Sequence, residues 1–138
     1  MLSVPKTKIY LLNIYYMSIK FNIITEPDFL HNDSKSIMLV NLQSEHRTWF
    51  NDWLKNNDQH VNIYIGSEQN TGWNFNVADL ADVIIINLDD MPAPLCFFAG
   101  ILVRRPKTYY FTNGYINDWK SISNNRIFDF NFLNEVIN

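Results

Sequence analysis

The chain is short of the residues that usually betray chemistry. It has one cysteine, Cys96, in 138 residues, which excludes an intrachain disulfide and a cysteine-built zinc site. Cys96 lies inside the apolar run "PLCFFAGILV", so the expectation is a buried, inert thiol. The three histidines, His31, His46 and His60, have no paired spacing that would serve a metal or a Cys–His nucleophile. There are four glycines, and none lies in "VNLQSEHR", the turn after the first core strand. A P-loop or dinucleotide-binding turn is therefore excluded, and no cofactor or metal is implied. Charge is sparse as well. The formal net charge is -3, and the only basic cluster is Arg104-Arg105 with Lys107, which reads as a solvated helix end. A phosphate-neutralising face is not favoured, so nucleic acid is not an expected partner. No apolar run is long enough to span a bilayer. The stretch "KTKIYLLNIYYMSIK" is interrupted by Asn13 and is followed by no small-residue cleavage site. A reducing, cytoplasmic location without a membrane partner is the expectation.

What is present suits a globular core. Apolar residues make up 47% of the chain and aromatics 15%, enough for one domain and too many for general disorder. The 19 asparagines, alongside many Ile and Tyr, point to an AT-rich genome such as that of a low-GC bacterium or a phage. Residues 1–19 read as an appended arm or extra strand, with Met17 as an alternative start, and 20–138 as a single α/β domain.

Patterning predicts strands at "KFNIIT" (20–25), "SIMLVNL" (36–42), "HVNIYIG" (60–66), "VIIINLD" (83–89) and "KTYYF" (107–111), with "RIFDF" as a short last strand. Trp49, Phe50, Trp53 and Leu54 fall on one face of a helix in "SEHRTWFNDWLKNNDQ", with Ser44 as its N-cap. Short helices are expected at "NVADLAD" and "NFLNEVIN", a longer one at "PLCFFAGILV", and a loop at "SEQNTGWNFN". Alternation of this kind implies a three-layer α/β domain with a mostly parallel sheet, Rossmann-like or flavodoxin-like. Ligands in such folds bind at the carboxyl ends of the strands.

Those ends supply the candidates. Asp89 and Asp90 close the central strand; one would bind sugar hydroxyls or act as a base, or Asp89 would cap the following helix while Asp90 is solvated. Glu45, His46 and Arg47 would hold an anion, or simply form a polar first helical turn. Gln43, Ser44 and Asn113 lie at other strand ends, Glu68 is a further acid, and Trp73, Tyr115 and Trp119 are loop aromatics able to stack on a base or cover the core edge.

The order of pieces resembles the nucleoside 2-deoxyribosyltransferase-like family. "FNIITEPDFLHNDSKSIMLVNL" looks like its opening strand, loop and "SIFLAG"-type strand. "ADLADVIIINLD" is similar to its helix end and central strand, "FFAGIL" to its E-x-G helix with Gly100 at the glycine, and "RRPKTYYF" to the next turn and strand. The resemblance covers about Phe21 to Trp119. It implies an acid that orients a sugar, matched by Asp89 or Asp90, and a helix Glu that attacks the anomeric carbon and holds a glycosyl intermediate. Phe98 stands at the position of that Glu. The second loop is "GSEQNTGWN", keeping Trp73 and Glu68, and "INDWKS" replaces an Arg-x-Gly-Asn segment. The resemblance therefore implies a non-catalytic member that binds a nucleoside or nucleotide or serves as a protein-interaction module, with a homodimer implied by the family. An alternative is an N-glycosidic-bond enzyme, performing deoxyribosyl transfer or hydrolysis, with its carboxylate relocated to Glu45 or Glu68. A third is shared architecture alone, with function open.

Overall fold

The computed structural model describes residues 21–24, 35–57, 61–66, 71–114 and 125–137, with side chains for all of these except 21–24 and 71–73. The N-terminal arm, Glu68, Tyr115, Trp119 and the side chain of Trp73 lie outside the described residues. The elements run β1 (Phe21–Ile24), β2 (Lys35–Val40), α1 (Ser44–Lys55), β3 (Val61–Ile65), α2 (Thr71–Leu80), β4 (Val83–Asn87), α3 (Ala93–Leu102), β5 (Thr108–Phe111) and α4 (Leu133–Val136).

The strands form one sheet in the order β1-β3-β2-β4-β5, and every pairing is parallel. Parallel strands need crossovers, and α1, α2 and α3 provide them. Ile37 to Val40 of β2 and Val83 to Asn87 of β4 are buried on both faces, which is why these strands read as aliphatic runs. Along β2, Ile37 and Leu39 face one side while Met38 and Val40 face the other; Val83 and Ile85 alternate in the same way with Ile84 and Ile86 on β4. The first side is covered by Phe50, Trp53 and Leu54 of α1, together with Phe130, Leu133 and Ile137. The second is covered by Val77 and Ala78 of α2 and by Leu95, Phe98, Ala99 and Leu102 of α3. The result is the three-layer α/β domain expected from the alternation.

Local expectations are corrected in four places. The N-cap of α1 is Gln43 rather than Ser44, which is the first helical residue. Helix α2 begins at Thr71, inside the stretch read as loop; its buried face is Asn74, Val77 and Ala78, and the asparagine in that face disguises the apolar period. "RIFDF" makes only an isolated bridge between Arg126 and Tyr110. Cys96 is exposed: α3 buries Leu95, Phe98, Ala99 and Leu102, and Cys96 lies on the opposite face. In the basic cluster, Arg104 is exposed, whereas Arg105 pairs with Asp79 at 2.9 Å.

Among the described residues no helix is long and apolar enough to cross a membrane.

Candidate functional site

After β2 the chain first adds β3 on one side, then crosses back to add β4 on the other. The chain therefore leaves β2 for α1 on one face of the sheet and β4 for α3 on the other, and the crevice outside their carboxyl ends is the place where this topology admits a ligand. Val40 is level with Ile86 across the pair, so the next residues, Asn41 and Asn87, close both strands at the same height.

These two asparagines organise the crevice. Asn41 adopts a positive φ of 57°, and its side-chain amide donates to the carbonyls of Asn87 and Asp89, both at 3.0 Å. Asn87 is fully buried; its amide donates to the Asp89 carbonyl at 3.0 Å, and its oxygen accepts the Asp89 N–H at 3.3 Å. Asp90 follows with φ 51°. Asn and Asp are the non-glycine residues that tolerate this left-handed region best, which accounts for their place at both strand ends.

The Asp89 carboxylate is turned toward β5. It accepts from the Thr112 hydroxyl at 2.8 Å and from the Asn113 N–H at 2.7 Å, and Thr112 Oγ1 in turn accepts the Gly114 N–H at 2.9 Å. Asp89 thus ties the end of β4 to the loop after β5. The helix-capping role does not hold: the N-cap of α3 is Pro92, and Pro92 and Pro94 fix its entry instead. Asp90 is exposed, as expected of a solvated acid.

Helix α1 brings the other candidates to the same edge. Gln43, Ser44 and Glu45 are exposed, and Arg47 donates from Nη1 to the Leu42 carbonyl at 3.0 Å. His46 turns inward. Its Nδ1 accepts the Gln43 N–H at 3.1 Å, so the ring proton of the neutral form belongs to Nε2, which lies 3.9 Å from Glu45 Oε1. The ring stacks on Phe111 at 4.4 Å and meets Trp49 edge-on at 5.5 Å.

Burial pushes the His46 pKa below its ordinary 6.5; Glu45 and Asp89 oppose this and Arg47 adds to it. Protonation would also destroy the Nδ1 acceptor and place a cation at the positive end of α1. The folded form therefore binds fewer protons than the unfolded chain once pH falls below about 6.5. This contribution to stability is fully present above that pH and is lost as pH falls toward the depressed folded value. Thermal melts between about pH 7.5 and pH 5 should show the decline. His46→Gln should flatten the decline while keeping the cap, since a glutamine side chain at this helical position can accept the same N–H. An unchanged acid limb in that variant would assign the effect to other groups.

Phe98, at the position matched to the family nucleophile, is 1% exposed and meets Phe75 edge-on at 4.9 Å. It belongs to the core between α3 and the sheet, while its neighbour Phe97 is 74% exposed. Helix α3 has no ionisable side chain other than the Cys96 thiol, which lies 3.6 Å from the Pro92 carbonyl.

The structure thus gathers Gln43, Ser44, Arg47, Asp89, Asp90 and Asn113 at one edge. Sequence reasoning puts Asn41, Asn87 and Thr112 at the strand ends without singling them out as candidates, and it misses Arg126, whose Nη2 donates to the Thr112 carbonyl at 2.6 Å. A signal for the first two was present: "LVNL" and "IINL" end both central strands with the same polar interruption. Nothing comparable marks Arg126, which arrives from a distant segment. No group of three or more His, Cys, Asp or Glu residues able to hold a metal occurs among the described residues. Comparison with known proteins returns no matching family model and no matching curated protein, so the likeness to deoxyribosyltransferase-like chains stands on the residue order alone.

Proposed function

We propose that this chain is a non-catalytic nucleoside 2-deoxyribosyltransferase-like domain that binds a nucleoside- or nucleotide-type ligand in the crevice between β2 and β4. The observation that carries this reading is the use made of Asp89. Its carboxylate is bonded to Thr112 and Asn113, so it builds the crevice wall and keeps only its remaining lone pairs for a ligand hydroxyl. With phenylalanine in the core at position 98, α3 offers no carboxylate for the covalent route. Polar groups at Gln43, Ser44, Asp90 and Asn113 remain exposed around the crevice, suited to hydrogen bonding without bond cleavage.

Incubation with 2′-deoxynucleosides and an acceptor base should release no free base by chromatography. Thermal-shift titration with nucleosides and nucleotides should raise the melting temperature, and Asp90→Asn, which removes the charge but keeps a residue type that tolerates the positive φ, should weaken the shift without lowering the baseline melt. Base release that disappears in Glu45→Gln or Glu68→Gln would replace this reading with the relocated-carboxylate enzyme. Absence of a shift with every nucleoside and nucleotide would remove the ligand.

A further inference from the structure

A cavity that shares no residue with the crevice opens between α1 and the C-terminal segment. Trp49, Asp52, Trp53 and Asn56 recur at the spacing of one helical face and form its first wall. Asp129, Phe130, Asn131 and Asn134 form the other, and the volume between them is about 290 Å³. That is just under the range of about 300–1,000 Å³ for drug-sized ligands, so it suits a smaller molecule.

The walls are tied together. Trp53 Nε1 donates to Asn134 Oδ1 at 2.9 Å, which holds the C-terminal segment against α1. Phe130 is buried and meets Phe50 at 5.1 Å, closing the cavity toward the core. The Trp49 ring is set by His46 at 5.5 Å and Phe111 at 6.0 Å, yet is 39% exposed, so part of its indole surface is open.

The lining selects the chemistry of the ligand. Its donors are turned onto the protein itself. Besides the Trp53 indole, the Asn56 amide donates to the Asp52 carbonyl at 3.0 Å and the Asn131 amide to Asp129 Oδ2 at 3.4 Å. Asp129 Oδ1 also accepts the Asn131 N–H at 2.9 Å, which orients the carboxylate and leaves it further lone pairs. Asp129 has no ion-pair partner among the described residues, and Asp52 has only Lys55, at 4.0 Å. Carboxylate acceptors beside an open indole suit a group that is positively charged and only donates. A sugar hydroxyl asks for donors as well.

The geometry points to a binding site in this cavity for a small free organic cation of the alkylammonium or guanidinium class. The cation lies against the Trp49 ring, and its N–H groups donate to Asp52 and Asp129. Lys55 is the resident competitor for Asp52.

Isothermal titration of the full chain with putrescine and with methylguanidinium should show binding that weakens as salt is raised. Butanediol and methyl glucoside, which lack the charge, should not bind. Asp52→Asn and Asp129→Asn keep an acceptor oxygen, so each should leave the melting temperature of the free protein unchanged. Each should weaken binding by up to about fivefold, and the pair together by about tenfold. Trp49→Leu, which keeps an apolar cover over His46 and removes the ring face, should weaken it about two- to fivefold. Lys55→Gln should strengthen it. Failure of both cations to bind, binding indifferent to the double Asp variant, or tighter binding of the glucoside overturns the proposal. A single-arginine peptide that binds about tenfold more tightly than either free cation would replace the free ligand with a protein side chain.

Discussion

Phe98→Glu, the substitution that would return a carboxylate to the position matched to the family nucleophile, should fail to give a folded protein rather than restore base exchange. The ring of Phe98 is 1% exposed, packed edge-on against Phe75 and enclosed with Leu95, Ala99 and Leu102 against the sheet. Removing a buried phenylalanine costs about 3–5 kcal/mol through lost transfer and the cavity left behind. Burying a carboxyl group without partners adds to that loss even after it neutralises by taking up a proton. A domain of this size typically has only about 5–15 kcal/mol in hand, so the sum is comparable with the whole. The control is Phe98→Leu, which fills most of the volume and loses chiefly the ring contact, for an expected cost of about 1–2 kcal/mol. Soluble expression, circular dichroism and thermal melting distinguish the two. A Phe98→Glu protein that melts near the parent temperature would mean that position 98 borders open space. Release of base from deoxynucleosides by that variant would mean that the crevice still aligns a sugar against α3.

The contrast between Phe98 and Asp89 shows which parts of this molecule were legible in its sequence. The layers were, because burial on both faces forces β2 and β4 to be aliphatic throughout, and the crossover helices must alternate with them. The period of Trp49, Phe50, Trp53 and Leu54 gave α1, since a helix over a sheet needs one apolar stripe. Helix α3 was harder. Its apolar residues are contiguous, so its two faces cannot be separated by periodicity, and the reading of Cys96 as buried failed for that reason. Exposure of Cys96 and Phe97 follows from which side meets the sheet, a choice made by Leu95, Phe98 and Ala99 together. The crevice was legible in location but not in wiring. Topology brings Asp89, Gln43 and Asn113 to one edge, whereas the turning of Asp89 toward Thr112 depends on the positive-φ turns at Asn41 and Asp90, which leave no mark beyond residue type. Arg126 joins the edge only because the segment after β5 returns to bridge Tyr110.

That wiring makes Asp89→Ala the second large effect. The carboxylate accepts two hydrogen bonds, from a hydroxyl on a buried residue at 2.8 Å and from a backbone N–H at 2.7 Å. Hydrogen bonds to charged groups are worth about 1.5–3 kcal/mol each, and the bond to Asn113 lies near solvent and belongs at the low end or below it. A loss of about 2–3 kcal/mol is expected, which for a domain of this length lowers the melting temperature by roughly 6–12 °C. The backbone of Asp89 is held separately by Asn41 and Asn87, so truncating the side chain should leave the end of β4 in place and release the loop after β5. Hydrogen exchange should therefore rise at Asn113 and Gly114 while Ile84 to Ile86 stay protected. Asp89→Asn keeps one acceptor oxygen and should fall between the parent and alanine. If Asp89 instead acted mainly on a ligand, alanine would abolish the nucleoside-induced shift with little change in the unliganded melt. A fall in the unliganded melt that Asp89→Asn partly reverses identifies the carboxylate as the tie between β4 and β5, and whatever binds in the crevice then meets a wall that this one side chain holds in position.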